Sequence, residues 1–174
     1  DLGDVAAWAR RTFPDLAWGV SGSSSGGFFA LALAADPERW GAGPGRFAFA
    51  LALCPVADPL ARAEYLRAVI NGTSDVDPRH EPERAKEILA SQLSYFPGGD
   101  DQMREARDLV EKSAWGPTLV VAGAQDKNVP LHVLSGLIGW ADRTLVLRRG
   151  HEIQAVLKDQ DYDEIIPWLR EAVK

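Results

Sequence analysis

Cysteine is nearly missing from the 174 residues, and Cys54 stands alone. A disulfide within the chain needs a second one, and a cysteine-built metal cluster needs several, so both are excluded. Sparse cysteine fits a reducing compartment, and the expectation is a cytoplasmic protein. Methionine is as scarce: Met103 is the only one, and the sequence opens on Asp1. The expectation is therefore a processed piece, a cut fragment or an excerpt rather than a primary translation product. No apolar run reaches the roughly eighteen residues of a membrane-spanning helix, and no basic-then-apolar leader is visible. Positive charge is in deficit as well, with 19 Lys and Arg against 25 Asp and Glu and a net charge of -6. Such a surface lacks the basic field that a nucleic-acid backbone attracts, so no nucleic-acid partner is expected.

What remains is 46% hydrophobic and 25% charged, the balance of one ordinary soluble domain. Apolar spacing predicts a helix over 4–13, ending before Pro14. Residues 16–21, LAWGVS, read as a short buried strand. GGFFALALAA, 26–35, is apolar on nearly every side, which suits a helix buried in a larger fold. A Pro- and Gly-rich loop follows. RFAFALALCP, 46–55, reads as a central strand of a parallel sheet. Residues 58–113 change character and hold three amphipathic helices with polar joints. PTLVVAGAQD is then a strand running into a loop, PLHVLSGLIGWA a helix and RTLVLRR a strand. HEIQAVL and YDEIIPWLREAVK close the chain as helices. Strands alternating with helices build a parallel sheet with helices on both faces, an α/β fold. In such sheets the chemistry gathers at the carboxyl ends of the strands.

One stretch at such an end carries three consecutive serines, in GVSGSSSGG. Gly22-Ser23-Ser24-Ser25-Gly26 matches G-x-S-x-G once, with Ser24 central, between a strand and a helix. A flexible linker would not lead straight into FFALALAA. Neither the dinucleotide pattern G-x-G-x-x-G nor a phosphate loop ending in G-K-[ST] occurs. The arrangement suits a nucleophile in a tight turn. The following helix start favours developing negative charge, and the Ser25 N–H is aimed at an oxyanion.

A serine nucleophile needs a base, and the base an orienting acid. His80 lies in a polar joint and reads as a surface group. His132 opens a helix close behind Asp126 and reads as a helix-surface group. His151 follows the strand TLVLRR directly, and Gly150 leaves its ring room, so His151 is the candidate base. Asp126 follows a buried strand in VVAGAQDKNVP and is the candidate acid. Asp58, in CPVADP after the preceding strand, is the alternative, although a turn or helix cap suits it better. The scattered histidines and lone cysteine give no metal site. Cys54 reads as a small buried hydrophobe.

The pieces GVSGSSSGG, CPVADPLARAEYL, YFPGGDDQMREA, PTLVVAGAQDKNVP and GHE together resemble the C-terminal part of an α/β-hydrolase. The group most similar is that of bacterial esterases and lipases, which also resembles the prolyl-oligopeptidase-type peptidases. The resemblance implies ester hydrolysis through an acyl-enzyme, with Ser24, Asp126 and His151 in order and without a cofactor. It divides the chain into a core at 1–57 with the nucleophile elbow, a helical cap at 58–113, and a core at 114–174 with acid and base. Tyr65, Leu66, Tyr95 and Phe96 of the cap are candidates for lining the substrate site, with core packing as the alternative for each. The resemblance also implies strands before the elbow and a loop, often of HGG type, giving a second oxyanion donor. No HGG occurs in the chain. The expected partners are a small-molecule ester and an upstream segment or second chain that completes the sheet. Two other readings stay open: a serine peptidase using the same three residues, and a non-catalytic binding protein on a hydrolase fold.

Overall fold

The structure is a computed structural model that describes residues 2–74, 81–112, 116–151, 157 and 159–174. Helix α1 (Leu2–Thr12) leads to strand β1 (Gly19–Ser23), helix α2 (Ser25–Ala35) and strand β2 (Phe49–Leu53). Three helices follow, α3 (Pro59–Ile70), α4 (Pro82–Tyr95) and α5 (Gly99–Lys112). Strand β3 (Thr118–Gly123), a 3-10 turn (Leu131–Leu134), helix α6 (Ser135–Ile138), strand β4 (Arg143–Leu147) and helix α7 (Asp159–Ala172) complete the described elements. The strands form one parallel sheet in the order β1-β2-β3-β4. All six residues of β3 are buried, as a central strand covered on both faces requires.

Alternation along the strands sorts the core. Ala50, Ala52, Val120 and Ala122 face a cluster with Phe28 and Leu31 of α2 and Tyr65, Leu66 and Val69 of α3. Leu119 and Val121 face the opposite way, against Ile165 and Trp168 of α7, joined by Phe49, Leu51, Leu53, Leu145 and Leu147. Helices thus cover both faces, as the alternating pattern predicts. Ala85 of α4 and Val110 of α5 belong to the same cluster as α2 and α3. The block at 58–113, expected as a cap, therefore shares its core with the sheet.

Several boundaries differ from the sequence reading. Strand β1 starts later, at Gly19, because Leu16 stays 59% exposed. It runs on into the serines because its register pairs Gly19 with Phe49 and Ser23 with Leu53. A Cβ on Gly19 would stand 2.0 Å from the Phe49 ring, so a larger residue there would need that ring to move. The helix expected over 130–141 is a 3-10 turn and then a single helical turn. Gly136 and Gly139 weaken helix propagation, while buried Val133, Leu134 and Leu137 anchor the segment. Helix α7 runs through Pro167, which sits with Asp163 on the exposed face, where water can bond the carbonyl that proline leaves free. Most of HEIQAVL, expected as a helix, lies outside the described residues. No helix among those described is long and apolar enough to cross a membrane.

Helix α3 has a clear start signal. The Asp58 carboxylate accepts the Ala61 N–H at 2.8 Å, and Pro59 occupies the first turn. Asp58, the alternative acid, is therefore the cap of α3. Asp58→Ala should lower stability by about 1 kcal/mol in denaturant titrations, while Asp58→Asn, which still caps, should stay near the parent value.

Candidate active site

Three chain crossings meet at the carboxyl edge of the sheet. The first is the Gly22–Gly26 turn. Ser24 has φ 54° and ψ -124°, a backbone state that costs a non-glycine residue on the order of 1–3 kcal/mol. Hydrogen bonds from the neighbouring corner hold it there. The Ser24 N–H donates to the Leu53 carbonyl at 2.9 Å, and the Val56 N–H donates to the Ser24 carbonyl at 3.0 Å. The turn tolerates only small neighbours. A Cβ on Gly22 would meet the Gly26 carbonyl oxygen at 2.2 Å, and one on Gly27 would meet the Pro55 Cβ at 2.8 Å. A Cβ on Gly26 would meet nothing within 4 Å, so the turn is open on that side. The Ser25 N–H lies in the first turn of α2 and bonds no acceptor among the described residues.

The second crossing follows β3. The Asp126 side chain has no exposed surface. Its Oδ1 accepts the N–H groups of Asn128 at 2.8 Å and Val129 at 2.9 Å. Its Oδ2 lies 2.8 Å from His151 Nδ1. Burial alone would raise the Asp126 carboxyl, but the bonds from His151 and the two backbone donors outweigh it and hold the group below the usual carboxylate range. An ionised carboxylate only accepts, so Nδ1 carries the proton and Nε2 is left as an acceptor. Nε2 lies 3.0 Å from Ser24 Oγ, which places the serine hydroxyl as donor to the imidazole.

The third crossing follows β4. The Gln125 N–H donates to the Arg149 carbonyl at 2.9 Å, fastening the two loops together. Gly123 makes the approach possible, since a Cβ there would lie 2.5 Å from the Arg149 carbonyl oxygen. The Arg149 guanidinium pairs with buried Asp161 of α7 at 2.9 Å. His151 is held at the start of the next segment with 14% of its side chain exposed.

The structure brings Ser24, Asp126 and His151 into one hydrogen-bonded path. His132 is exposed, its ring 5.8 Å from that of Tyr65. His80 lies outside the described residues. Of the lining candidates, Leu66 is in the core at 1% exposure, and Tyr65 is buried with its hydroxyl donating to the Lys127 carbonyl at 2.8 Å. Neither faces open space. Tyr95 is 56% exposed, edge-on to Phe29, and Phe96 packs against Phe28.

Two neighbours carry more than their sequence context reveals. Cys54 leaves β2 with φ 42°, and its Sγ lies within 4.8 Å of both an Asp126 oxygen and a His151 ring nitrogen. Such a trio could in principle ligate a soft divalent ion. Burial first, then the charge and hydrogen bonding of Asp126, push the thiol up to about 12. It is therefore a neutral donor at ordinary pH, while Asp126 and His151 are engaged with each other. Arg62, which reads as the polar face of an amphipathic helix, is 5% exposed and bonded to Asn128. No periodicity separates it from the exposed arginines of the same block.

No protein-family model matches the chain, and no curated protein matches it significantly. Solved structures do. Esterase B of Lactobacillus rhamnosis is 16% identical, with a TM-score of 0.67 over 98% of this chain and 58% of its own. An esterase of Pyrococcus furiosus is 13% identical, with a TM-score of 0.58 over 100% of this chain and 61% of its own. Puromycin hydrolase is 22% identical, with a TM-score of 0.56 over 87% of this chain and 21% of its own. The chain has a partial α/β-hydrolase fold and spans about three-fifths of these esterases and a fifth of puromycin hydrolase.

Two outcomes follow from the electrostatics. A depressed carboxylate stabilises the fold above the ordinary carboxylate range and loses that contribution as pH falls through its folded value, below about pH 4. The stability advantage of the parent over Asp126→Asn should therefore shrink on acidification through that range, as read from denaturant midpoints. Cys54 should resist aromatic disulfide reagents in the native protein and react fully once unfolded. Rapid native reaction would contradict the raised thiol.

Proposed function

We propose that the chain supplies the nucleophile, base and acid of a serine hydrolase that cleaves carboxylic esters through an acyl-enzyme. The reading rests on the path Ser24 Oγ to His151 Nε2 at 3.0 Å and His151 Nδ1 to Asp126 Oδ2 at 2.8 Å. Ser24 Oγ attacks the ester carbonyl carbon and its proton passes to Nε2. Asp126 steadies the imidazolium, and the Ser25 N–H takes up the developing oxyanion. Collapse breaks the C–O bond, and the Nε2 proton leaves with the alcohol. Water then repeats the sequence on the acyl-serine and frees the acid. The positive φ of Ser24 makes the Gly22–Gly26 turn an elbow, and the open side above Gly26 is the approach for substrate. Tyr95 and Phe96 remain the candidates for sensing the acyl or alcohol group.

Likeness to puromycin hydrolase supports a second reading, a peptidase of the prolyl-oligopeptidase type, since amide and ester acyl transfer use the same three groups. Matched ester and amide substrates separate the two.

The outer edge of β1 is proposed as the seat of a further strand, from another segment or a second chain, whose loop would bring the second oxyanion donor. Strand β1 pairs only with β2 among the described residues. Val5, Trp8, Phe13 and Leu16 of the preceding segment are all at least 45% exposed. An open apolar edge is an aggregation template, and one missing donor costs about a hundred- to a thousand-fold in rate.

A fluorophosphonate should label Ser24 and neither Ser23 nor Ser25. Ser24→Ala should abolish labelling and lower turnover on the order of a million-fold. Asp126→Asn should cost roughly ten-thousand-fold with Asp58→Asn near normal, and the reverse pattern would move the acid to Asp58. The 174 residues purified alone should associate and turn over a small activated ester weakly. A soluble monomer with normal rates would overturn the open-edge proposal.

A further inference from the structure

Arg62 is a buried cation without a matching anion in contact. It lies one turn into α3 and is 5% exposed. Its partners are all neutral. Nη1 donates to Gln92 Oε1 at 2.8 Å, Nη2 to Asn128 Oδ1 at 3.0 Å and Nε to the Asn128 carbonyl at 3.3 Å. No carboxylate lies within ion-pair distance among the described residues. Burying a guanidinium this way costs several kcal/mol unless a charge compensates it. Burial indeed pushes Arg62 down to about 10, with the negative charge of Asp126 the larger of the two influences opposing that fall. Arg62 remains charged at neutral pH.

The connection to Asp126 runs through one peptide group. The carbonyl of the Asn128–Val129 peptide accepts from Arg62 Nε, and the N–H of that same peptide donates to Asp126 Oδ1 at 2.9 Å. The peptide dipole thus stands with its negative end on the cation and its positive end on the carboxylate. Chained bonds of this kind polarise one another in a low-dielectric interior. Tyr65, one turn further along α3, holds the adjacent Lys127 carbonyl, so helix α3 grips the acid loop at two successive carbonyls.

We propose that Arg62 is a positioning residue that acts through the Asn128–Val129 peptide to hold Asp126 ionised and aimed at His151. This inference rests on the hydrolase reading given above. Arg62 touches no reacting atom in that reading; it acts on the acid through the peptide whose N–H the acid accepts. Other titratable or charged groups around the pair are Cys54 at the end of β2, Tyr65 on α3 with His132 beyond it, Lys127 in the acid loop, and Arg149 with its partner Asp161. None of these is altered in the variants below.

The test is the pH at which the Asp126–His151 pair takes up a proton, followed by the low-field NMR resonance of the His151 Nδ1 proton. The same proteins are assayed for the rate of fluorophosphonate labelling of Ser24 across pH. Removing a nearby positive charge makes proton uptake easier. In Arg62→Met and Arg62→Gln the titration should therefore move to higher pH by about half to one unit, the size of one charge acting at a high effective dielectric. The acid limb of labelling should move with it, and on that limb labelling should slow by about three- to ten-fold, the ratio that a shift of half to one unit gives. Arg62→Lys keeps the charge and should leave the titration in place, even where looser packing lowers thermal stability. A purely structural role for Arg62 would lower stability without moving either pH profile. Unmoved profiles in the two neutral variants would overturn the proposal. So would a shift of half a unit or more in Arg62→Lys, and if the neutral variants do not fold in buffer, they are titrated beside the parent in a stabilising osmolyte. Absence of Ser24 labelling in the parent would count against the hydrolase reading, while the NMR titration would still decide the role of Arg62.

Discussion

The backbone of Ser24, at φ 54° and ψ -124°, is the constraint on which the rest of the site depends. A serine does not rest there unaided. Strand β2 ends one residue before a second positive φ, at Cys54, and that corner turns the Leu53 carbonyl and the Val56 N–H toward Ser24. The residues on either side of Cys54 thus hold Ser24, while the Cys54 N–H itself bonds the Val121 carbonyl. Gly22 and Gly27 keep the space clear for this contact. Parallel pairing of β1 with β2 in the register Ser23 to Leu53 is what brings the two corners to the same level.

The second demand is to keep charge inside. Asp126 is buried and ionised, and Arg62 is buried and cationic, yet they do not touch. Oδ1 takes two backbone N–H groups in place of a side-chain cation. An intervening peptide lets the opposite charges compensate while Oδ2 stays committed to the imidazole. The cost of such an arrangement is met by the helical block. Gln92 of α4 bonds Arg62 and also donates to the Pro59 carbonyl and Met103 Sδ, so α3, α4 and α5 are knitted together beneath the acid loop. That shared core explains why the block does not stand apart from the sheet.

The two edge strands, β1 and β4, both keep exposure along their length, β4 more than β1. Strand β3 is buried throughout, whereas every residue of β1 keeps some exposure. Solved esterases superpose on nearly all of this chain while extending well beyond it.

Much of this was legible in the order of residues. Helix and strand identity followed from apolar periodicity, because burial on one face or two leaves different repeats. The tight turn at Gly22–Gly26 was legible because such a turn admits only small residues, and Ser24, Asp126 and His151 were picked from loops that a parallel sheet must bring to one edge. Other features were not local. Whether Tyr65 and Leu66 met substrate or core depended on how α3 lay against the sheet, and both are packed inside. The short 3-10 segment after Pro130 answered to buried Val133, Leu134 and Leu137, which overrode the spacing of a full helix. The sequence by itself determined which chemical groups could act and on which strand ends they would sit, since those follow from spacing and residue type. Only the tertiary structure decided that Cys54 and Arg62 surround Asp126, because the burial of a thiol or a guanidinium is set by neighbours many residues away.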